Sequence, residues 1–153
     1  MHLALGQAPI VLGDIDKNLE VMENLIVSAK NKAKRNLDLI VLPELFITGY
    51  NLRDNYSKVA ENIPSSSNAQ KGIHKLAKKH SIHIITGIVE KAGKSLFNSA
   101  IVIGPKGYIG HYRKQFLPNF GPFEEKMFFA EGNQTPVFET PFGKIGIQIC
   151  YDI

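Results

Sequence analysis

Three polar side chains stand where strand-like runs end, and together their types could make a hydrolytic site. Glu44 follows "LIVLP", Lys114 follows "IGHYR", and Cys150, the only cysteine, closes "KIGIQI". A thiol becomes a strong nucleophile only when a base takes its proton. The charge that then develops on an attacked carbonyl oxygen needs a cation or N–H donors beside it. A carboxylate and an ammonium supply those two functions, and the set suits attack on the carbon of an amide or a nitrile. Each residue alone also has an ordinary meaning. Glu44 fits a cap or a solvent-facing residue, Lys114 a solvated lysine, and Cys150 an inert small hydrophobe in a core. Spacing along the chain does not show that the three meet.

The elements that would position them belong to one domain, because 153 residues can bury a single core and are too few for two. Hydrophobic residues at 44% and charged residues at 21% exclude disordered and fibrous classes. The net charge of +4 is modest, and its basic residues gather in "KNKAKR" (Lys30 to Arg35) and "KLAKKH" (Lys75 to His80). No aromatic residues interleave with these charges, so both stretches read as solvated helix faces and no nucleic-acid partner is expected. A single cysteine forms no internal disulfide. No signal peptide or membrane span is read, so a reducing cytoplasm and no membrane partner are the expectation.

The order of elements reads strand, helix, strand, helix, strand, then hairpins. Leu3 and Leu5 suggest a first buried strand, with Gly13 and Asp14 as its exit turn. Asp16 is the expected N-cap of a helix with apolar positions Leu19, Met22, Ile26, Ala29 and Ala33. "LDLIVLPE" (Leu37 to Glu44) reads as an interior strand ended by Pro43. Ser67 and Gln70 fit a capping box for a second helix reaching about His80, followed by the strand "IHIITGIVE". "LFNSAIVIGPKGYIGHYRK" reads as a hairpin turning at Gly104-Pro105-Lys106-Gly107, and "TPVFETPFGKIGIQIC" as another turning at Pro141-Phe142-Gly143-Lys144. In the last strand, from Lys144 to Ile149, Ile145, Ile147 and Ile149 share one face. Gly146, Gln148 and Cys150 share the other, with Gly146 leaving room for another backbone. The class is α/β, with helices on one face of a mixed sheet.

The wording of three segments goes further. "LIVLPELFITGY", "YRKQFLPNFGPFEEKMFF" and "GKIGIQICYDI", with the opening "LALGQAPIVLGDIDKN", resemble the nitrilase, or carbon–nitrogen hydrolase, superfamily over essentially the whole chain. The resemblance implies a four-layer αββα sandwich, of which residues 1–153 would be an N-terminal portion. It also implies a Glu–Lys–Cys triad, with Glu44 matching the general base, Lys114 the cationic stabiliser and Cys150 the nucleophile. A further family glutamate that positions substrate and lysine matches best at Glu125, with Glu124 the fallback. The backbone N–H of Tyr151 would join Lys114 in holding the oxyanion. The implied chemistry uses neither metal nor cofactor. The five histidines agree, since His74 and His80 lie in the basic helix, none forms a ligand-spaced cluster, and His111 suits a hydrogen-bonding or surface role. "LPNFGPFEEK" is closest to amidase and glutamine-hydrolysing branches, so the expected substrate is a small primary amide such as glutamine, and a nitrile is the least expected.

The sequence departs from the family at its end. Family members continue well past the nucleophile, whereas this chain stops at Ile153. Uncovered apolar sheet surface costs roughly 25 cal/mol per Å² against a net stability of about 5–15 kcal/mol. The expectation is a C-terminally truncated domain, marginal or inactive alone unless a second polypeptide or a swapped copy completes it. The alternative to an enzyme is an inactive remnant or binding module; a homo-oligomer remains a possible partner arrangement.

Overall fold

The computed structural model describes residues 1–33 and 36–153. Lys34 and Arg35, the end of the first basic stretch, lie outside the described residues. The element order is β1 (Leu3–Leu5), α1 (Ile15–Lys32), β2 (Leu39–Val41), α2 (Tyr56–Val59), α3 (Asn68–His80), β3 (His83–Ala92), β4 (Ser95–Gly104), β5 (Gly107–Arg113), α4 (Glu125–Phe128), β6 (Val137–Thr140) and β7 (Gly143–Gly146). Short 3-10 turns precede α2 at Arg53–Asn55 and close the chain at Cys150–Asp152.

Strands β1 to β5 form one sheet in sequence order. β1, β2 and β3 are parallel, and β3, β4 and β5 antiparallel. Parallel neighbours require crossovers, and helices α1 and α3 supply them on one face. Met22, Ile26, Ile73 and Ala77 pack there against Ile40, Ile84, Ile101 and Ile103. On the opposite face Leu39, Ile85, Ala100, Val102 and Tyr112 lie under the β6–β7 hairpin, through Phe138, Ile145, Ile147 and Ile149. The result is a layer of helices, a mixed sheet and a small second sheet.

Several local expectations need adjusting. The cap of α1 is Asp14 rather than Asp16: its Oδ1 accepts from Lys17 N at 3.0 Å, because the positive φ of Gly13 (75°) starts the helix early. Asp16 instead accepts from Asn68 Nδ2 at 2.8 Å, tying α1 to α3. Ala33 is extended and caps α1 rather than continuing it. Ser67 does cap α3, but only half of the capping box forms, since Gln70 Oε1 accepts from Ser65 N. The regular part of the second strand is Leu39–Val41, although Leu42 N still donates to Ile85 O at 2.9 Å before Pro43 ends the ladder.

The largest difference is a hairpin that the sequence reading does not pair: it has both strands but not their ladder. β3 and β4 pair over nine positions from Ile84↔Ile103 to Ala92↔Ser95, turning at Gly93-Lys94 with Gly93 at φ 62°. β3 therefore joins the parallel and antiparallel halves of the sheet. The final strand is also shorter than read. The ladder stops at Gly146, Ile147 and Ile149 keep the inward face, and Cys150 lies beyond in a turn. A Cβ on Gly146 would meet nothing within 4 Å, so among the described residues no backbone uses that space.

Candidate active site

Topology sets three side chains at one end of the sheet. β2, β3 and β5 run the same way, so Glu44 just after β2 and Lys114 just after β5 leave the sheet at the same end. Antiparallel β4 starts at that end, which puts Asn98 opposite Val89 and beside both.

The Glu44 turn is held from several sides. Ile47 N donates to Gly87 O at 3.1 Å and Gly87 N to Pro43 O at 3.2 Å. Asn18 Nδ2, fully buried on α1, donates to Ile47 O at 2.9 Å. The Glu44–Leu45 peptide lies directly on Gly87: a Cβ there would stand 2.0 Å from Leu45 N. Leu45 has φ 49°, a left-handed conformation costly for a branched side chain and sustained only where surroundings dictate it.

Lys114 is fully buried. Its N–H donates to Asn98 O at 2.9 Å, and its carbonyl accepts from Gly132 N at 2.8 Å. Its neighbour Arg113 points to the other side, where it pairs with the buried carboxylate of Glu90, which also accepts from Ser99 Oγ at 2.7 Å. The Lys114 ammonium donates to Glu44 Oε1 at 2.6 Å and to Glu125 Oε1 at 2.8 Å. Glu125, at the start of α4, is held by its backbone N–H on Pro118 O at 3.1 Å and accepts from Tyr50 OH at 2.5 Å. Asn98 Nδ2 donates to Glu44 Oε1 at 2.6 Å.

Burial alone would push the Lys114 ammonium down, but its hydrogen bonds to Glu125 and Glu44 and their charges outweigh that and hold it above the usual lysine range. It is therefore a fixed cation at neutral pH. Tyr50 is pushed up by burial and by its bond to Glu125, so it stays a donor. One ammonium between two carboxylates leaves an excess negative charge, which the Tyr50 hydroxyl and the Asn98 amide help to stabilise.

Cys150 sits in the 3-10 turn at φ 49°, and Asp152 builds that turn. Its carboxylate accepts from Ile149 N (2.8 Å), Tyr112 OH (2.7 Å), Phe116 N (2.9 Å) and Gln115 N (3.1 Å). Four donors on one carboxylate pin both the turn and the segment after Lys114. Cys150 and Glu44 line one cavity of about 130 Å³ with Thr86, Gly87, Ala100 and Ile149. The thiol is pushed above its ordinary range, first by burial and then by the negative charge of Glu44, with Lys114 opposing. It rests as a thiol, not a thiolate. Tyr151 presents a half-exposed ring tilted against Phe120 at 5.6 Å.

Glu44, Lys114 and Glu125 thus form one hydrogen-bonded set, and of the three Glu44 lines the cavity that Cys150 also lines. The carboxylate on Lys114 belongs to Glu125; Glu124 is instead 3.9 Å from Arg53 at the surface. Among the described residues no three His, Cys, Asp or Glu side chains gather as a metal-binding set. The same residues include no helix long and apolar enough to cross a membrane.

Sequence reasoning missed Asn98, Tyr50 and Asp152. Asn98 had a signal, a polar amide inside the apolar run "LFNSAIVIG". The other two are recognisable only from partners distant in the chain.

The carbon-nitrogen hydrolase family model matches residues 2–153. The chain belongs to the carbon–nitrogen hydrolase family. It is 40% identical over 140 residues to a nitrilase of Pyrococcus abyssi (strain GE5 / Orsay), a match covering 90% of this chain and 50% of that protein. It is 34% identical over 152 residues to a glutamine-dependent NAD(+) synthetase of Acinetobacter baylyi, covering 99% of this chain and 27% of that protein. Among solved structures, Saccharomyces cerevisiae Nit3, a member of branch 10 of the nitrilase superfamily, superposes with a TM-score of 0.85 at 28% identity, over 98% of this chain and 55% of that one. This carbon–nitrogen hydrolase chain spans about half the length of the nitrilase relatives it matches and about a quarter of the synthetase.

Proposed function

We propose that the chain carries the catalytic residues of an amide hydrolase working through a cysteine thioester. The observation that carries this reading is the Lys114 ammonium between Glu44 and Glu125, with the Cys150 thiol on the cavity that Glu44 lines.

Glu44 takes the thiol proton as the sulfur attacks the carbonyl carbon, so the high-lying thiol need not ionise beforehand. Two of the three Lys114 N–H bonds are engaged, and the third joins the backbone N–H of Tyr151 on the oxyanion. The C–N bond breaks, ammonia leaves with the proton held by Glu44, and the acyl group remains on Cys150. Water then gives its proton to Glu44 and attacks the thioester, releasing the carboxylic acid and restoring the thiol. Glu125, fixed by Tyr50, holds Lys114 in line throughout.

The substrate class we favour is a small primary amide, with glutamine the first to test. The likeness to a protein named a glutamine-dependent synthetase supports that choice, as does the wording of "LPNFGPFEEK".

Labelling with 2-chloroacetamide, itself a primary amide, tests the base. Cys150 is the only thiol, so intact mass reports it alone. The rate in the unaltered chain is expected to stay level between about pH 6 and pH 8, because the reacting unit is a neutral thiol beside a carboxylate. In Glu44→Gln only thiolate reacts, so the rate rises about tenfold per pH unit and at neutral pH falls about 100-fold or more below the unaltered chain. A thiolate-like slope in both proteins would mean an ordinary cysteine and favour the binding-module reading.

A further inference from the structure

The base carboxylate is held by two donors, and they differ in kind. Lys114 donates to Glu44 Oε1 at 2.6 Å but is shared with Glu125, and the proposed reaction also directs it at the oxyanion. Asn98 Nδ2 donates to the same Oε1 at 2.6 Å and makes no other side-chain hydrogen bond among the described residues. Its orientation follows from chemistry. A carboxylate only accepts, so the amide must present N–H, and the turned amide would set oxygen against oxygen.

As packing alone, Asn98 is a poor choice. It is 1% exposed within β4, a strand whose positions Ile101 to Ile103 are β-branched and apolar. Its Oδ1 is buried with no hydrogen-bond partner among the described residues. An unsatisfied acceptor inside a sheet destabilises the fold, and such local conflicts concentrate at functional sites. The backbone of Asn98 meanwhile accepts from Lys114 N at 2.9 Å. One strand position thus touches both the base carboxylate and the backbone of the cation.

We propose that Asn98 is the positioning residue of the base: its amide N–H fixes Oε1 of Glu44, leaving Oε2 as the oxygen that takes the Cys150 proton. This rests on Glu44 being the base. Lys114 divides its charge among Glu44, Glu125 and the developing oxyanion, whereas the Asn98 amide donates to Glu44 alone and keeps the carboxylate in register. Without Asn98 the carboxylate rotates and transfers the proton less well, so the proton-transfer step suffers and amide binding does not.

The test is a mutant cycle read by 2-chloroacetamide labelling of Cys150 near neutral pH, with circular dichroism confirming each fold. Asn98→Leu removes the donor. Asn98→Asp keeps the shape and places an acceptor against the carboxylate, which guards against Leu simply failing to fold. Each is expected to slow labelling at least about tenfold when Glu44 is present, the scale of one charge-assisted hydrogen bond. In the Glu44→Gln background each should change the rate less than about twofold. A merely structural asparagine would give the same factor in both backgrounds, and that outcome overturns the proposal. So does Asn98→Asp labelling as fast as the unaltered chain. If Glu44→Gln alone labels as fast as the unaltered chain, the base assignment fails and the positioning role fails with it. A displaced Glu44→Gln with unmoved Asn98 variants overturns the positioning alone.

Discussion

Replacing Lys114 with methionine is expected to lower the melting temperature by on the order of 10 °C and to reduce amide turnover at least about 100-fold. The stability loss follows from burial. Lys114 is fully enclosed between Glu44 and Glu125, and methionine keeps most of its volume while removing the charge. Breaking one side of a buried ion pair leaves its partner charge uncompensated, at about 3–5 kcal/mol, and a domain of this size loses about 2–4 °C per kcal/mol. Here two carboxylates are left facing each other, with Tyr50 and Asn98 the side chains still donating to them among the described residues. The rate loss has a separate cause, the missing donor on the oxyanion, for which factors of about 10²–10³ are typical. Thermal unfolding followed by circular dichroism measures the first effect, and ammonia release from glutamine the second. A Lys114→Met protein as stable as the parent would mean that the cation is not the keystone of this cluster.

Gly87→Ala is the second large effect and acts through backbone alone. The new Cβ would stand 2.0 Å from Leu45 N, 2.7 Å from Glu44 C and 2.9 Å from Glu44 Cα, all main-chain atoms that cannot rotate away. Ordinary contact needs about 3.5 Å, so the Glu44–Leu45 peptide must retreat by more than about 1 Å. Overpacking of this kind costs about 1–3 kcal/mol, and a displacement of about 1 Å at a reacting group costs on the order of 100-fold in rate. The expected outcome is a folded protein, a few degrees less stable, whose Cys150 labels with 2-chloroacetamide about as slowly as in Glu44→Gln. Labelling at the parent rate in Gly87→Ala would show that the contact of β3 with this turn does not set the base.

Much of the site was legible because its residues sit at the ends of elements. Glu44, Lys114 and Cys150 each follow a strand, and the resemblance of the segments around them to the carbon–nitrogen hydrolase family is what singles them out. The order of strands and helices, and the inward set Ile145, Ile147 and Ile149, follow from the same periodicity. What could not be read depends on partners far along the chain. The turn at Cys150 exists because Asp152 accepts from Gln115, Phe116 and Tyr112, more than thirty residues away in sequence. Asn98 reads as a weak strand residue until Glu44, fifty-four positions earlier, is seen against it. The β3–β4 hairpin was hidden for a local reason: Gly93-Lys94 is short and unremarkable, and only its left-handed glycine makes the two strands turn.

In the proposed reaction Cys150, with Glu44 as its base and Lys114 as its cation, takes an acyl group from an amide. The most direct measurement is acid quenching of the protein as the cell makes it, during turnover of L-glutamine or a short aliphatic primary amide, followed by mass spectrometry of the peptide carrying Cys150. The expected result is a thioester adduct with the mass of the acyl group, absent from Cys150→Ala, together with ammonia release that Cys150→Ala abolishes. Ammonia release at an unchanged rate in Cys150→Ala would contradict it.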